Sequence, residues 1–115
     1  MRKFLFALAP ALLLGSAAAH AHAYLQQANP RVGSTVRAAP REVTLQFSQK
    51  LEPSFSSAQV TDGSGARVDR GASVSGMQMH VPLRALAPGT YRVRWHVLSV
   101  DTHKTEGSFT FRVGQ

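Results

Sequence analysis

Three segments alternate strictly between apolar and polar residues, and this period of two constrains the fold more than any other feature. The alternation runs over residues 42–47, 91–97 and 108–113. Because successive side chains of a β-strand point to opposite faces, each segment predicts a strand with one buried and one exposed face. Weaker strands are predicted at residues 24–28, 57–61 and 77–81, and no segment is a convincing amphipathic helix. The sequence therefore predicts an all-β domain, an antiparallel Ig-like sandwich or Greek-key barrel.

Turn-forming residues separate these strands. Asn29-Pro30 and Val32-Gly33-Ser34 follow the first strand, and Pro88-Gly89 precedes the longest one. The run Asp62-Gly63-Ser64-Gly65 predicts a hairpin or tight loop. This pattern of strands and turns predicts one small domain and no second domain.

The first 21 residues have the layout of a secretory signal peptide. A positive start, Met1-Arg2-Lys3, precedes an apolar run over residues 4–14 and a string of small residues. A membrane-spanning helix needs about 20 apolar residues, and this run is shorter and contains Pro10. We therefore expect export through a cleaved leader.

The site of cleavage has three alternatives under the small-residue rule. Cuts after Ala19, Ala21 and Ala23 all place alanine at the two critical positions. A cut after Ala21 leaves a 94-residue domain, 22–115, with His22 as its first residue. A histidine at a free N-terminus offers both its α-amine and its imidazole to one metal ion, so the choice of cut decides whether a chelate exists.

The amino-acid composition limits which metal ligands, crosslinks and partners are possible. The chain has no cysteine, so neither disulfides nor thiolate ligands are available to an exported domain. The formal charge is +7, and the domain 22–115 keeps eleven basic and six acidic side chains, a charge of +5. Its basic residues are scattered singly, without aromatic interleaving, which favours a solvated surface over a nucleic-acid partner.

Asp101 and His103 are the candidate metal ligands within the domain. They stand two residues apart between two strong strands, and in an extended backbone they would share a face. On its own, a D-x-H tripeptide also fits a turn-forming aspartate and an exposed loop histidine. If His22 reaches the same end of the domain, its amine and imidazole, the His103 imidazole and an Asp101 oxygen form an N₃O set. Such a set suits tetragonal Cu(II) better than tetrahedral zinc.

The chain resembles the CopC/PcoC/YobA family of periplasmic copper-binding proteins. The resemblance covers essentially residues 22–115 and is most specific in the stretch Trp95-His96-Val97-Leu98-Ser99-Val100-Asp101-Thr102-His103-Lys104-Thr105-Glu106-Gly107. It implies a cupredoxin-like Greek-key β-barrel that binds Cu(II) in the periplasm through His22, Asp101 and His103. It also implies the cut after Ala21 and, as a separate partner, an inner-membrane copper-transport protein.

Two features depart from the family pattern. Some members carry a glutamate after the Phe-Ser of the second strand, where this chain has Gln49, and others have a methionine-rich loop, where residues 62–75 contain no methionine. We therefore expect no Cu(I) site of that kind. Met77 and Met79 are expected to pack in the core, and His80, on the opposite strand face, to be exposed.

The sequence thus predicts a non-catalytic, monomeric carrier or buffer of Cu(II) in copper homeostasis or resistance. Two other classes of protein are also compatible with the sequence. An N-terminal histidine with a second histidine also forms the copper brace of polysaccharide-oxidising enzymes, although Asp101 would occupy the copper and the domain is small for such a substrate. The other class is a metal-free Ig-like adhesion or assembly module.

Overall fold

The polypeptide folds into two packed four-stranded sheets. The structure, a computed structural model, describes residues 23–114. One sheet has the strand order β1-β3-β6-β5 and the other β2-β8-β7-β4. The strands are β1 (Leu25–Asn29), β2 (Thr35–Val36), β3 (Glu42–Phe47), β4 (Ser57–Thr61), β5 (Ser73–Ser75), β6 (Gln78–Pro82), β7 (Gly89–Leu98) and β8 (Lys104–Val113).

The alternating segments form strands as predicted. β3 and β4 have the predicted limits, whereas β8 begins four residues earlier, at Lys104. Over residues 23–114 the only helical element is a short 3₁₀ turn, Pro53–Phe55, and no helix is long and apolar enough to cross a membrane. The all-β prediction is confirmed.

One part of the strand arrangement differs from the antiparallel prediction. β2 pairs parallel to β8, with Thr35 opposite Arg112, while every other strand pair is antiparallel. After β1 the chain crosses to the other sheet, where the two residues of β2 pair with β8, the last strand in the chain. Residues 37–103 separate β2 from β8, and so long a connection permits parallel pairing, which a tight hairpin does not.

The core lies between the inner faces of the two sheets. Its largest fully buried side chains include Phe47 and Leu45 of β3, Met79 of β6, and Val93 and Phe111 of the opposite sheet. The Met79 prediction is confirmed. The prediction for Met77 is wrong: its side chain is 42% exposed, because Gly76 turns the chain with φ of +64° and β6 begins only at Gln78. His80 is half-buried, with its Nδ1 atom 3.6 Å from Glu42 Oε2.

Trp95 packs against Gly107, the last residue of the Trp-to-Gly stretch. Trp95 lies directly opposite Gly107 in the β7–β8 ladder, and a Cβ atom on Gly107 would stand 2.5 Å from the indole ring. The absence of a side chain lets the indole lie across the neighbouring strand. Its edge also contacts Phe47, with ring centroids 5.1 Å apart. This packing joins the two sheets below the β7–β8 loop.

A buried carboxylate closes one side of the sandwich. The segment 67–70 runs from the edge of β4 toward β6, with Arg67 opposite Thr61 and Asp69 opposite Leu83. The Asp69 side chain is fully buried and accepts hydrogen bonds from the Val60 and Gly71 N–H groups and from the Arg67 guanidinium. Asp69 therefore ties the edge of one sheet to the segment that reaches the other.

Candidate metal centre

The candidate site occupies the five-residue connection between β7 and β8. The ladder ends at the pair Leu98–Lys104, so residues 99–103 form the loop. Within it the Ser99 N–H donates to the His103 carbonyl and the Thr102 N–H to the Ser99 carbonyl. Thr102 has φ of +71°, a conformation that is rare for a β-branched residue and that occurs mostly where the surrounding structure enforces it.

This turn brings Asp101 and His103 together. His103 Nδ1 lies 3.3 Å from Asp101 Oδ1, and each side chain is a little over 40% exposed. Their proximity was predicted from an extended backbone. The structure achieves it differently, because the left-handed Thr102 lies between them. The two side chains are adjacent, as the D-x-H hypothesis requires.

Ser99 orients the aspartate. It is completely buried, and its hydroxyl donates a hydrogen bond to Asp101 Oδ1. The hydroxyl of Ser99 also lies 3.3 Å from the His103 N–H, which donates to it. The Ser99 hydrogen bond, together with that of His103 and its charge, lowers the pKa of Asp101 below its ordinary value. The carboxylate is therefore ionised at neutral pH and can bind a cation.

The loop is also held from the opposite strand. Leu51 forms a bridge with Ser99, the Val100 N–H donates to the Lys50 carbonyl, and the Glu52 N–H donates to the Leu98 carbonyl. These contacts fix the start of the loop against the segment that follows β3. Backbone pairing on both sides leaves the loop little freedom.

The beginning of the described chain is fixed at the same end of the sandwich. Ala23 is fully buried, and its carbonyl accepts a hydrogen bond of 2.8 Å from Thr105 Oγ1. Tyr24 pairs with Ser48 in both directions: its N–H donates to Ser48 Oγ, and its carbonyl accepts from the Ser48 N–H. Because Thr105 follows His103 by two residues, Ala23 is anchored beside the Asp101–His103 pair.

His22 and the leader, residues 1–21, lie outside the described residues. Within residues 23–114 no three histidine or acidic side chains come together as a metal site. Asp101 and His103 therefore supply two donors, and a complete site needs more.

The other candidate residues lie elsewhere. His96 is exposed on the outer face of β7, as expected, and Gln49 is half-buried just beyond β3. Sequence reasoning assigned no role to Ser99, Thr105 or Ser48, which hold the loop and the first described residues. Only Ser99 gave a local signal, a hydroxyl two residues before an aspartate. The contact of Thr105 with Ala23 joins residues 82 positions apart, which no local motif records.

The domain is a two-sheet β-sandwich with a carboxylate and an imidazole exposed side by side at one end. Residues 25–114 match the model of the CopC domain, and the chain belongs to the CopC family. It is 42% identical over 98 residues to Protein YobA of Escherichia coli K12, an alignment covering 81% of this chain and 79% of YobA.

Two solved structures have the same fold. One is CopC from Methylosinus trichosporium OB3b, with a TM-score of 0.76 and 34% identity, covering 81% of this chain and 94% of that one. The other is PcoC, described as a methionine-rich copper resistance protein from Escherichia coli, with a TM-score of 0.72 and 35% identity. That match covers 81% of this chain and 99% of PcoC. The cupredoxin-like sandwich implied by the sequence resemblance is confirmed.

Replacing Ser99 by alanine should weaken metal binding by about tenfold without unfolding the domain. The change frees the Asp101 carboxylate from its orienting hydroxyl, and loss of an outer-shell partner typically costs 10–100-fold in metal affinity. Ser56→Ala is the matched control. The Ser56 hydroxyl bonds only to the backbone of Leu98 and does not touch Asp101. Cu(II) titration of both variants, with thermal melts of the metal-free proteins, measures the difference, and equal affinities for the two would refute the role of Ser99.

Proposed function

We propose that this chain is a periplasmic Cu(II)-binding protein that carries or buffers copper in copper homeostasis or resistance and catalyses no reaction. The observation that carries the proposal is the Asp101–His103 pair, held 3.3 Å apart in a braced loop beside the anchored Ala23. The description of its structural neighbour PcoC as a copper resistance protein supports copper as the cargo.

The proposed ligands are the α-amine and imidazole of His22, the His103 imidazole and an Asp101 oxygen. Three nitrogens and one oxygen suit tetragonal Cu(II), which also binds most tightly among the first-row divalent ions. Anchoring of Ala23 by Thr105 supports this set, because it limits how far residue 22 can lie from the loop. A chelate that is held in place in this way loses little conformational entropy when it binds the metal.

The ligand set requires that export exposes His22. We propose that residues 1–21 are a signal peptide cleaved after Ala21 and that domain 22–115 acts in the periplasm as a monomer. Copper then competes with protons for the amine and imidazoles, so affinity falls as the pH falls. The α-amine, with an ordinary pKa of about 7.7–8.0, is the ligand most limited by pH.

The exposure of the Asp101 and His103 side chains would allow copper to be exchanged with a partner. Asp101 and His103 each keep more than 40% of their side-chain surface exposed, so a bound ion stays accessible from outside the sandwich. We propose an inner-membrane copper-transport protein as that partner.

A copper-brace oxidase instead needs an open position at the metal, which the Asp101 carboxylate would fill. Absence of ascorbate-driven peroxide production by the copper-loaded protein is the expected result.

The decisive experiment compares His103→Ala with His96→Ala in the processed protein. His96 is an exposed histidine of β7 that faces away from the loop, so its loss should leave Cu(II) affinity unchanged. Loss of His103 removes a ligand and should weaken binding by about a hundredfold, or about 3 kcal/mol. Competition titration gives the affinities, and electron paramagnetic resonance reports the nitrogen ligands. Retention of full affinity by His103→Ala would overturn the proposed site.

A further inference from the structure

The outer face of the β2-β8-β7-β4 sheet collects basic side chains. Alternate residues of β7 and β8 point outward, and the exposed positions include four cations, Arg92, Arg94, Lys104 and Arg112. We call this surface the basic face. The outward positions of the other sheet, on β1, β3, β5 and β6, carry no lysine or arginine. Among the strands, lysine and arginine therefore occur on this face alone.

The arginines of the basic face have no carboxylate partners within the described part of the chain. Arg94 stands between Gln59 and Ser108 in the ladder, and Arg92 between Thr61 and Thr110. The guanidinium of Arg92 reaches only the Ser108 hydroxyl, and Arg112 donates to the Thr90 hydroxyl at 2.7 Å. Their charges are not neutralised within the fold.

A groove crosses this face. Two adjoining recesses, of about 620 and 470 Å³, share Ser57, His96 and Glu106 as lining residues. The first continues to Arg67 and Arg94, and the second ends at Phe55, Lys104 and Thr105. The groove is also lined by Trp95 and Gly107. Glu106, opposite His96, is the one carboxylate among its lining residues.

An exposed aromatic ring stands at one end of the groove. Phe55 lies in the 3₁₀ turn and is 65% exposed, the largest exposed fraction of any large apolar residue between 23 and 114. Aromatic and arginine side chains together are typical of protein–protein interfaces, where they act as anchors. Arginine also binds carboxylates through two parallel hydrogen bonds, which a lysine cannot do.

We propose that this groove docks an acidic segment of a partner protein, with an apolar side chain against Phe55. Its carboxylates would bind Arg94 in the groove and Arg92, which lies beside the groove on the same face of β7. The charge of the face selects an anionic partner, and a recess suits an extended chain better than a flat bilayer surface. The inference stands on charge and shape and does not depend on copper. Because Lys104 directly follows His103, a docked partner would lie beside the candidate metal centre.

The test uses the metal-free processed protein labelled with ¹⁵N and a short blocked peptide in which glutamate alternates with leucine. We expect saturable shifts of backbone resonances confined to β4, β7, β8 and residues 54–56. The same peptide with lysine in place of glutamate should cause none. The double variant Arg92→Glu/Arg94→Glu should weaken binding about tenfold, which corresponds to about 1.4 kcal/mol.

The control is Arg70→Glu/Arg84→Glu, which makes the same change in charge at two exposed arginines that line a separate shallow recess. It should leave peptide binding within about twofold, since it leaves the groove intact. Equal weakening by both double variants would show only general attraction to a cationic protein and overturn the proposal. Shifts outside the groove would do the same, as would saturable binding to phosphatidylglycerol vesicles without localised peptide binding.

Discussion

Adding a single glycine before His22 should weaken Cu(II) binding by at least about a hundredfold, or about 3 kcal/mol. The extension converts the α-amine of His22 into an amide, whose nitrogen does not bind a metal while it keeps its proton. The new α-amine belongs to the added glycine and lies one residue further from Asp101 and His103. The imidazole of His22 remains but loses the ring that it closes with the amine.

A glycine added after Gln115 is the matched control for this experiment. It changes the length and mass equally, and the last described residues, at the end of β8, lie at the other end of that strand from Lys104. Mass spectrometry of the exported protein first establishes that it begins at His22. Competition titration then compares the three proteins, and unchanged affinity after the N-terminal extension would eliminate the amine as a ligand.

The fold was predictable wherever one face of a strand is buried. The alternation over Val43, Leu45 and Phe47 set both the limits and the inward face of β3. β2 and β5 were missed because they have two and three residues, too few for a period of two to show. The error at Met77 has a related cause, since a turn at Gly76 interrupts a pattern that sequence alone continues.

The distribution of charge could not be predicted without the strand register. Along the sequence the basic residues stand singly, and this suggested an even, solvated surface. Arg92 and Arg94 fall on alternate residues of β7, and Arg112 lies on the neighbouring strand β8. The pairing of β7 with β8 places these arginines on one face, so residues that are scattered along the sequence form a basic surface.

The candidate site was half predictable. A carboxylate and an imidazole two residues apart are a local signal, and their proximity was expected. The contacts that organise the pair are not local in sequence. Leu51 braces the loop from the segment after β3, and Thr105 holds Ala23, which lies 82 positions before it. His22 lies outside the described residues, and its part in the site stays a prediction.

Replacing Asp69 by asparagine should destabilise the domain by about 2–3 kcal/mol, a sizeable part of the roughly 5–15 kcal/mol that holds a small domain together. The variant keeps the shape of the side chain but loses its charge and one acceptor. The buried carboxylate now accepts from Val60, Gly71 and Arg67. With an amide, the NH₂ group faces one of these donors, and the Arg67 guanidinium loses its partner. Denaturant unfolding at pH 7 measures the loss, with Asp62→Asn as control, since Asp62 makes similar bonds on an exposed loop.

The pH dependence distinguishes a charge effect at Asp69 from a packing effect. Burial alone raises the pKa of Asp69, but the hydrogen bonds from Arg67, Val60 and Gly71 more than offset it and lower the pKa below the ordinary value. A carboxyl group with a lower pKa in the folded state stabilises that state fully above its unfolded pKa, about 3.9, and loses this contribution as the pH falls through the folded pKa. The wild-type protein should therefore lose stability below about pH 4 more steeply than Asp69→Asn, and the difference between them should narrow. A difference that stays constant from pH 7 to pH 3 would mean that Asp69 acts through packing and not through its charge.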